Sequence, residues 1–372
     1  MSRNALFRFP AVRPELPPIE AWSPVLRDAY EKNWFTNFGD LSRRLENALN
    51  AGWGDDKTAC VATSSGTAAI AAPLIAAGIS GPVILPAFTF PATASAIWMS
   101  GAEPILVDVR PDTWTMSADS MQHALAATGA KACVVVSPFG IRTDFRDHAA
   151  IAAAHDAILV IDSAAGLGVD PIPYHADPHV FEAYSMHATK PFGIGEGGVV
   201  FGARSCEASL RSALNFGIPD LLADGPPNWG INGKLSEMHA AVGLAVLDTY
   251  SERLAKRRLM AGAYISSLSQ YKDSVAFVED VSSSTWQVFP VLMPDEASAT
   301  RFVANAAGYG LEIRRYYRPS LSVLSGIGMF EACHVSEDLA SRMCCLPVYS
   351  NSSSDELASI LDIVSGCLER AL

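Results

Sequence analysis

The chain has 372 residues, of which 49% are hydrophobic and 18% charged, enough for a full core and a length of about two domains. A net charge of −12 excludes general nucleic-acid binding but not a locally bound anion. The seven cysteines show no C-x-x-C spacing and read as reduced core thiols, no His/Cys set has metal-ligand spacing, and neither a leader-like apolar stretch in residues 1–8 nor an uncharged run of membrane-spanning length is present, so a cytoplasmic protein without a metal is expected.

The first thirty or so residues are proline-rich and read as irregular, leading into a helix over 40–49 with apolar residues at helical spacing. From there strands and helices alternate. Strands are expected at 58–62, 82–85, 105–108, 132–136, 157–161 and 198–201, and helices at 66–77, 90–99 and 145–155. The runs at 132–136 and 157–161 are apolar throughout, as in strands covered on both faces. Such alternation predicts an α/β fold with a mainly parallel sheet flanked by helices, and ligands beyond the carboxyl ends of its strands. A long helix over 236–254 is expected to bridge a large domain, 1–250, to a smaller α+β domain, 251–372. The latter holds a strand over 285–292 and a last helix over 354–368.

Chemistry-bearing residues fall at those strand ends. In Tyr184-Ser-Met-His-Ala-Thr-Lys190, followed by Gly195-Glu-Gly-Gly198, one lysine sits among small residues. An amine in a dry, close-packed pocket is partly neutral at working pH and able to form a Schiff base. Ser185 is placed to bind an anion, and the pattern points to pyridoxal 5′-phosphate (PLP) on Lys190. Taken alone, a surface lysine before a turn fits as well. Thr63-Ser-Ser-Gly-Thr67 opens a helix, where free N–H groups favour a phosphate; Ser65 and Thr67 add hydroxyls and Gly66 allows close approach. A plain N-cap serine is the other reading. Phe90, chosen over Phe88, is placed to stack on a pyridine ring, unless both rings are core. Asp162 ends an apolar strand, where an unpaired charge is costly. A protonated pyridine nitrogen would pair with it, and a turn-capping role is the alternative. His187 lies near Lys190 and fits either a ligand contact or a packed neutral ring. Glu196 reads as structural. Arg314, Arg315 and Arg318 form a basic cluster that fits a substrate anion or a solvated surface.

Phosphate cup, stacking ring, strand-end acid and lysine occur in that order. With them the chain resembles the DegT/DnrJ/EryC1/StrS family of nucleotide-sugar aminotransferases, PLP enzymes of the type I, aspartate-aminotransferase-like fold. The likeness runs from Trp34-Phe-Thr-Asn-Phe-Gly39 to Leu346-Pro-Val-Tyr349. Ser64-Ser-Gly-Thr67, Thr89-Phe90, Asp162, and Ser185 with Lys190 match the family's cofactor-binding positions. Gly230-Ile-Asn232-Gly-Lys-Leu-Ser-Glu237 resembles its G-x-N-x-R-M-S-E segment, and the resemblance implies that Asn232 reaches the phosphate of a neighbouring subunit in a homodimer with shared active sites. Lys190 argues against the family's dehydrating branch, which has histidine there. Three positions depart: Ala165 stands where relatives carry glutamine or histidine, Lys234 replaces an arginine, and Tyr316-Tyr-Arg-Pro-Ser-Leu lacks a histidine after the proline.

The resemblance implies that glutamate donates the amino group and that a nucleotide-linked keto sugar accepts it. Lys190 is the acid–base group and Asp162 the partner of the pyridine nitrogen. His187, Arg314, Tyr316 and Tyr317 are the candidate substrate contacts. A cyclitol or other keto substrate, or a non-catalytic PLP-fold partner or regulatory protein, are the competing readings.

Overall fold

Apolar strands that hide both faces need helices on both sides, and the computed structural model of the chain supplies them. It describes residues 7–169, 176–218 and 229–372; residues 1–6, most of the stretch read above as lacking a leader, lie outside these. The described chain begins with α1 (Ile19–Glu31) and α2 (Asp40–Trp53). Then β1 (Thr58–Thr63), α3 (Gly66–Ala76), β2 (Pro82–Pro86), α4 (Pro91–Met99), β3 (Glu103–Val107), α5 (Ala118–Thr128), β4 (Ala132–Val136), α6 (Arg146–Ala154) and β5 (Ile158–Asp162) alternate. β6 (Val180–Ser185), β7 (Gly198–Ala203), α7 (Glu207–Leu214) and the long α8 (Glu237–Leu268) follow. The remainder carries β8 (Val288–Leu292), α9 (Glu296–Gly308), β9 (Gly328–Met329), α10 (His334–Arg342), β10 (Met343–Pro347) and α11 (Ser354–Glu369).

One sheet of eight strands runs in the order β1-β7-β6-β5-β4-β2-β3-β9. Only β7 is antiparallel to its neighbours, β1 and β6; the other pairs are parallel. On one face Val61, Leu85 and Val134 pack with Ile70 of α3, Ile97 of α4 and Leu210 of α7. On the other, Ile84 and Val135 meet Met121 of α5 and Ala149 of α6. Leu41 and Leu45 of α2 share a further cluster with Phe201 and with Val246 of α8. β8 and β10 form a separate antiparallel pair, whose Phe289 and Leu346 bury against Tyr264 of α8, Phe302 of α9 and Ile360 of α11.

The first thirty residues are not irregular throughout. α1 forms because Leu26 and Ala29 bury against α8, and that packing outweighs Pro24 inside the helix. α8 extends past residue 254 to Leu268, since Met260, Ala261, Tyr264 and Leu268 continue its apolar stripe into the last core. β6 is missing from the expected strands because Glu182 interrupts its apolar run. The Glu182 carboxylate is buried and accepts a hydrogen bond from Ser163 at 2.5 Å. Among the described residues no helix is long and apolar enough to cross a membrane, and no three His, Cys, Asp or Glu side chains group as a metal site.

One buried ion pair fixes the strand that leads into the phosphate-side turn. Glu46 of α2 accepts the backbone N–H of Ala62 at 2.9 Å and both terminal nitrogens of Arg211 from α7, at 3.2 and 2.7 Å. Its side chain is only 4% exposed. Removing it leaves an unpaired strand N–H and takes one of two carboxylates from Arg211, which keeps Glu207 at 2.8 Å, so Glu46→Ala is expected to cost about 1–3 kcal/mol. Chemical denaturation measures this, and a loss below about 1 kcal/mol would show that the pair does not hold β1 in place.

Candidate active site

Residues from both halves of the chain line a cavity of about 560 Å³ at the carboxyl ends of the central strands. At one end α3 begins. Ser65 is its N-cap, and its hydroxyl accepts the Ala68 N–H at 3.1 Å. Ser65, Gly66 and Thr67 all border the cavity, as does Ser185 at the end of β6. Gly66 is required here, because a Cβ on it would stand 2.7 Å from that of Ser185. Three hydroxyls and the positive end of a helix thus converge without a charged group among them, a setting suited to a phosphate.

Phe90, 55% exposed, is the N-cap of α4 and borders the cavity, while Phe88 is 1% exposed and packs edge-on against Phe139 and Tyr317. The two aromatic readings therefore divide between the two rings. Asp162 ends β5, 5% exposed, with its carboxylate bordering the cavity. It accepts the Thr93 hydroxyl at 2.7 Å and the Ala164 N–H at 3.1 Å. Because Thr93 gives its proton to Asp162, the 2.8 Å contact between Thr89 and Thr93 must be donated by Thr89. Burial pushes the Asp162 carboxyl above its ordinary range, against the pull of Thr93, the positive charge of Lys190 and Ala164.

Lys190 borders the same cavity, and its Nζ donates to Gln287 Oε1 at 3.1 Å. Burial lowers its pKa to about 8, with the Asp162 charge opposing. The amine is therefore partly neutral near neutral pH, as a nucleophilic lysine must be. His187 also borders the cavity. Its Nδ1 accepts the Thr189 N–H at 3.2 Å, so the neutral ring carries its proton on Nε2, which faces Glu196 Oε1 at 3.6 Å.

The basic cluster divides. Arg314 borders the cavity, donating to the Tyr316 hydroxyl at 2.9 Å and to Glu312 at 3.3 Å. Arg315 turns to the Ser341 carbonyl, and Arg318 pairs with Glu296 of α9 at 2.6 Å. Tyr316 and Tyr317 both line the cavity, Tyr317 stacked on Phe139 with ring centroids 5.3 Å apart. Asn232 does not line its own chain's cavity. It is exposed and accepts from Lys234 at 2.8 Å, beside the turn where Gly233 O accepts the Ser64 N–H.

Sequence reasoning missed Thr93, Phe139 and Gln287. No pattern marks Gln287, which reaches the cavity from far along the chain. Thr93 lies just past Phe90 in sequence, and its partner Asp162 is set only by tertiary folding.

A hydroxyl-lined helix start, a buried carboxylate short of a full counter-charge and a lysine of lowered basicity fit the phosphate, ring nitrogen and aldehyde of PLP. Fold and cavity define a PLP-dependent transaminase of the type I, aspartate-aminotransferase-like class. The chain belongs to the DegT/DnrJ/EryC1/StrS aminotransferase family, whose profile matches residues 20–365. It is 28% identical over 366 residues to the dTDP-4-amino-4,6-dideoxy-D-glucose transaminase of Shigella dysenteriae, covering 95% of this chain and 97% of that one. It is 26% identical over 317 residues to the 3-oxo-glucose-6-phosphate:glutamate aminotransferase of Bacillus subtilis (strain 168), covering 81% and 70%. The crystal structure of DesI in the presence of its TDP-sugar product superposes with a TM-score of 0.87 at 28% identity, covering 98% of this chain and 94% of that chain.

The rate at which cofactor-free protein takes up PLP covalently should rise with pH and reach half its maximum near 8, the value to which burial lowers the Lys190 amine. Asp162 favours the charged amine, so Asp162→Asn should move that midpoint to lower pH. Stopped-flow absorbance over pH 6–11 tests both; a midpoint at the ordinary lysine value, about 10.4, would contradict the cavity's effect on Lys190.

Proposed function

We propose that the protein transfers the amino group of glutamate to a nucleotide-linked keto sugar, giving an amino sugar and 2-oxoglutarate. The observation that carries this is the placement of the Lys190 amine and the Asp162 carboxylate on one cavity whose far end is built for a phosphate. Support for a sugar comes from the two relatives, both named as sugar aminotransferases, and from DesI, whose crystal structure was determined in the presence of its TDP-sugar product. Support for glutamate comes from the name of the Bacillus subtilis relative.

PLP, when bound, supplies an electron sink that stabilises negative charge on the substrate carbon. The chain's own residues do the rest. Ser65, Thr67, Ser185 and the first N–H groups of α3 would take the phosphate. Phe90 would cover one face of the ring. Asp162, ionised, would keep the ring nitrogen protonated. Lys190 would anchor the cofactor, and its free amine would take the proton from the substrate carbon and return it as acid. A titration near 8 suits both directions of that transfer. His187, Arg314, Tyr316 and Tyr317 line the side open to substrate. Asn232, exposed and outside its own cavity, completes the phosphate site of a second copy in a homodimer. The division near residue 250 belongs to the same reading: the long α8 carries the chain from the cofactor sheet to the smaller part, which brings Gln287, Arg314 and the two tyrosines to the cavity.

The test is a panel of keto compounds with glutamate: nucleotide-linked keto sugars, sugar phosphates, free sugars and cyclitols. The expected result is 2-oxoglutarate formed one for one with an amino sugar on the nucleotide-linked members. Lys190→Ala should abolish turnover, and Asp162→Asn should lower kcat at least about 100-fold with little change in thermal midpoint. Amination of cyclitols alone, or full activity in Lys190→Ala, would overturn the proposal.

A further inference from the structure

The segment Thr285-Trp-Gln287 is held far more tightly than a loop needs to be. Arg257, buried on α8, donates from Nε to Thr285 O at 3.3 Å and to Trp286 O at 3.0 Å, and from Nη2 to Trp286 O at 2.8 Å and Gln287 O at 3.0 Å. One guanidinium thus collects three successive carbonyls. On the opposite side, the N–H of Thr285 donates to Gly140 O and that of Gln287 to Phe139 O, both at 2.9 Å. The Thr285 hydroxyl donates to Ala165 O at 2.5 Å. Gly140 makes room for it, since a Cβ there would lie 2.3 Å from the Thr285 hydroxyl oxygen.

Between these clamps Trp286 takes φ = +56°, a left-handed conformation unusual for a bulky residue. Strain of this kind persists only where the surroundings enforce it. Here it turns two consecutive side chains into different places. The Trp286 ring is fully buried, stacked on Phe289 at 5.3 Å, while Gln287 points into the cavity. There its amide oxygen accepts from Lys190 Nζ at 3.1 Å. Lysine has only donors to offer, so the amide must present its oxygen. Ala165 on the facing loop offers the cavity a methyl group, its carbonyl being taken by Thr285.

We infer that Gln287 is a positioning residue for Lys190, holding the amine against the small-part wall of the cavity whenever it is not bonded to the cofactor, and that the Arg257 clamp and the strained Trp286 backbone exist to aim it. The inference rests on the proposed transamination for its use, because only a reaction that frees and recaptures the lysine needs a fixed resting place for it. The hydrogen bond itself stands without that reaction.

The experiment reads the amine directly, in cofactor-free protein. The ionisable groups lining the cavity with Lys190 are Asp162, His187, Glu196, Arg314, Tyr316 and Tyr317. None of them is altered by a change at position 287. Lys190 is labelled with an amine-reactive reagent over pH 6–11, and the labelled peptide is quantified by mass spectrometry. Gln287→Leu removes the acceptor and should lower the midpoint for labelling. Gln287→Glu puts a negative charge beside the amine and should raise it by roughly 1–3 pH units. Thermal midpoints of both variants check that the fold is retained. Opposite shifts in a folded protein support the inference; shifts in the same direction, or none, overturn it. Failure of the transamination proposal would leave this titration unchanged, so the two can fail separately.

Discussion

A carboxylate buried at the carboxyl end of a central parallel strand is the constraint around which this molecule is organised. Taking such a charge out of water costs several kcal/mol unless partners return it. Asp162 has a Thr93 hydroxyl supported by Thr89, one backbone N–H, and the charge of Lys190 across the cavity. None of these is a full, close counter-ion. A purely structural protein would gain by placing an apolar residue there. The acid is retained where a cation must be held in a dry place, and a protonated ring nitrogen meets that requirement.

The other anchors follow from the same geometry. The α3 start can face a phosphate only because Gly66 lets β6 pass within contact distance, and β1 is pinned behind it by the Glu46–Arg211 pair. Asp162 and Lys190 act on each other in opposite senses. Burial raises the basicity of the acid and lowers that of the amine, and each charge offsets part of the other's shift. The late part of the chain closes the cavity with Gln287, Arg314 and the two tyrosines, held on a core whose largest members are Trp286, Tyr264 and Tyr349. The site therefore exists only when both parts are folded, with α8 running through from one to the other.

Much of this was legible in the sequence, and for physical reasons. Fully apolar runs such as 132–136 and 157–161 carry a strong pattern, so the sheet and its strand-end loops could be placed. The turn residues proposed to serve the cofactor lie in short contiguous segments. What could not be read depends on partners distant in sequence. β6 hides behind Glu182, whose carboxylate is buried in the sheet and accepts the Ser163 hydroxyl. α1 carries an internal proline and owes its existence to α8. The basic cluster looked like one feature, yet only Arg314 faces the cavity, because Arg315 and Arg318 are drawn to Ser341 and Glu296. Gln287 gave no sign at all: glutamine is common, and its aim is set by a backbone strain that only folding creates.

The most direct measurement is borohydride reduction of the PLP-loaded protein, which turns a lysine–cofactor linkage into a stable label, followed by peptide mapping. A single phosphopyridoxyl group on Lys190 is the predicted result. A label on another lysine, or none, would contradict the account.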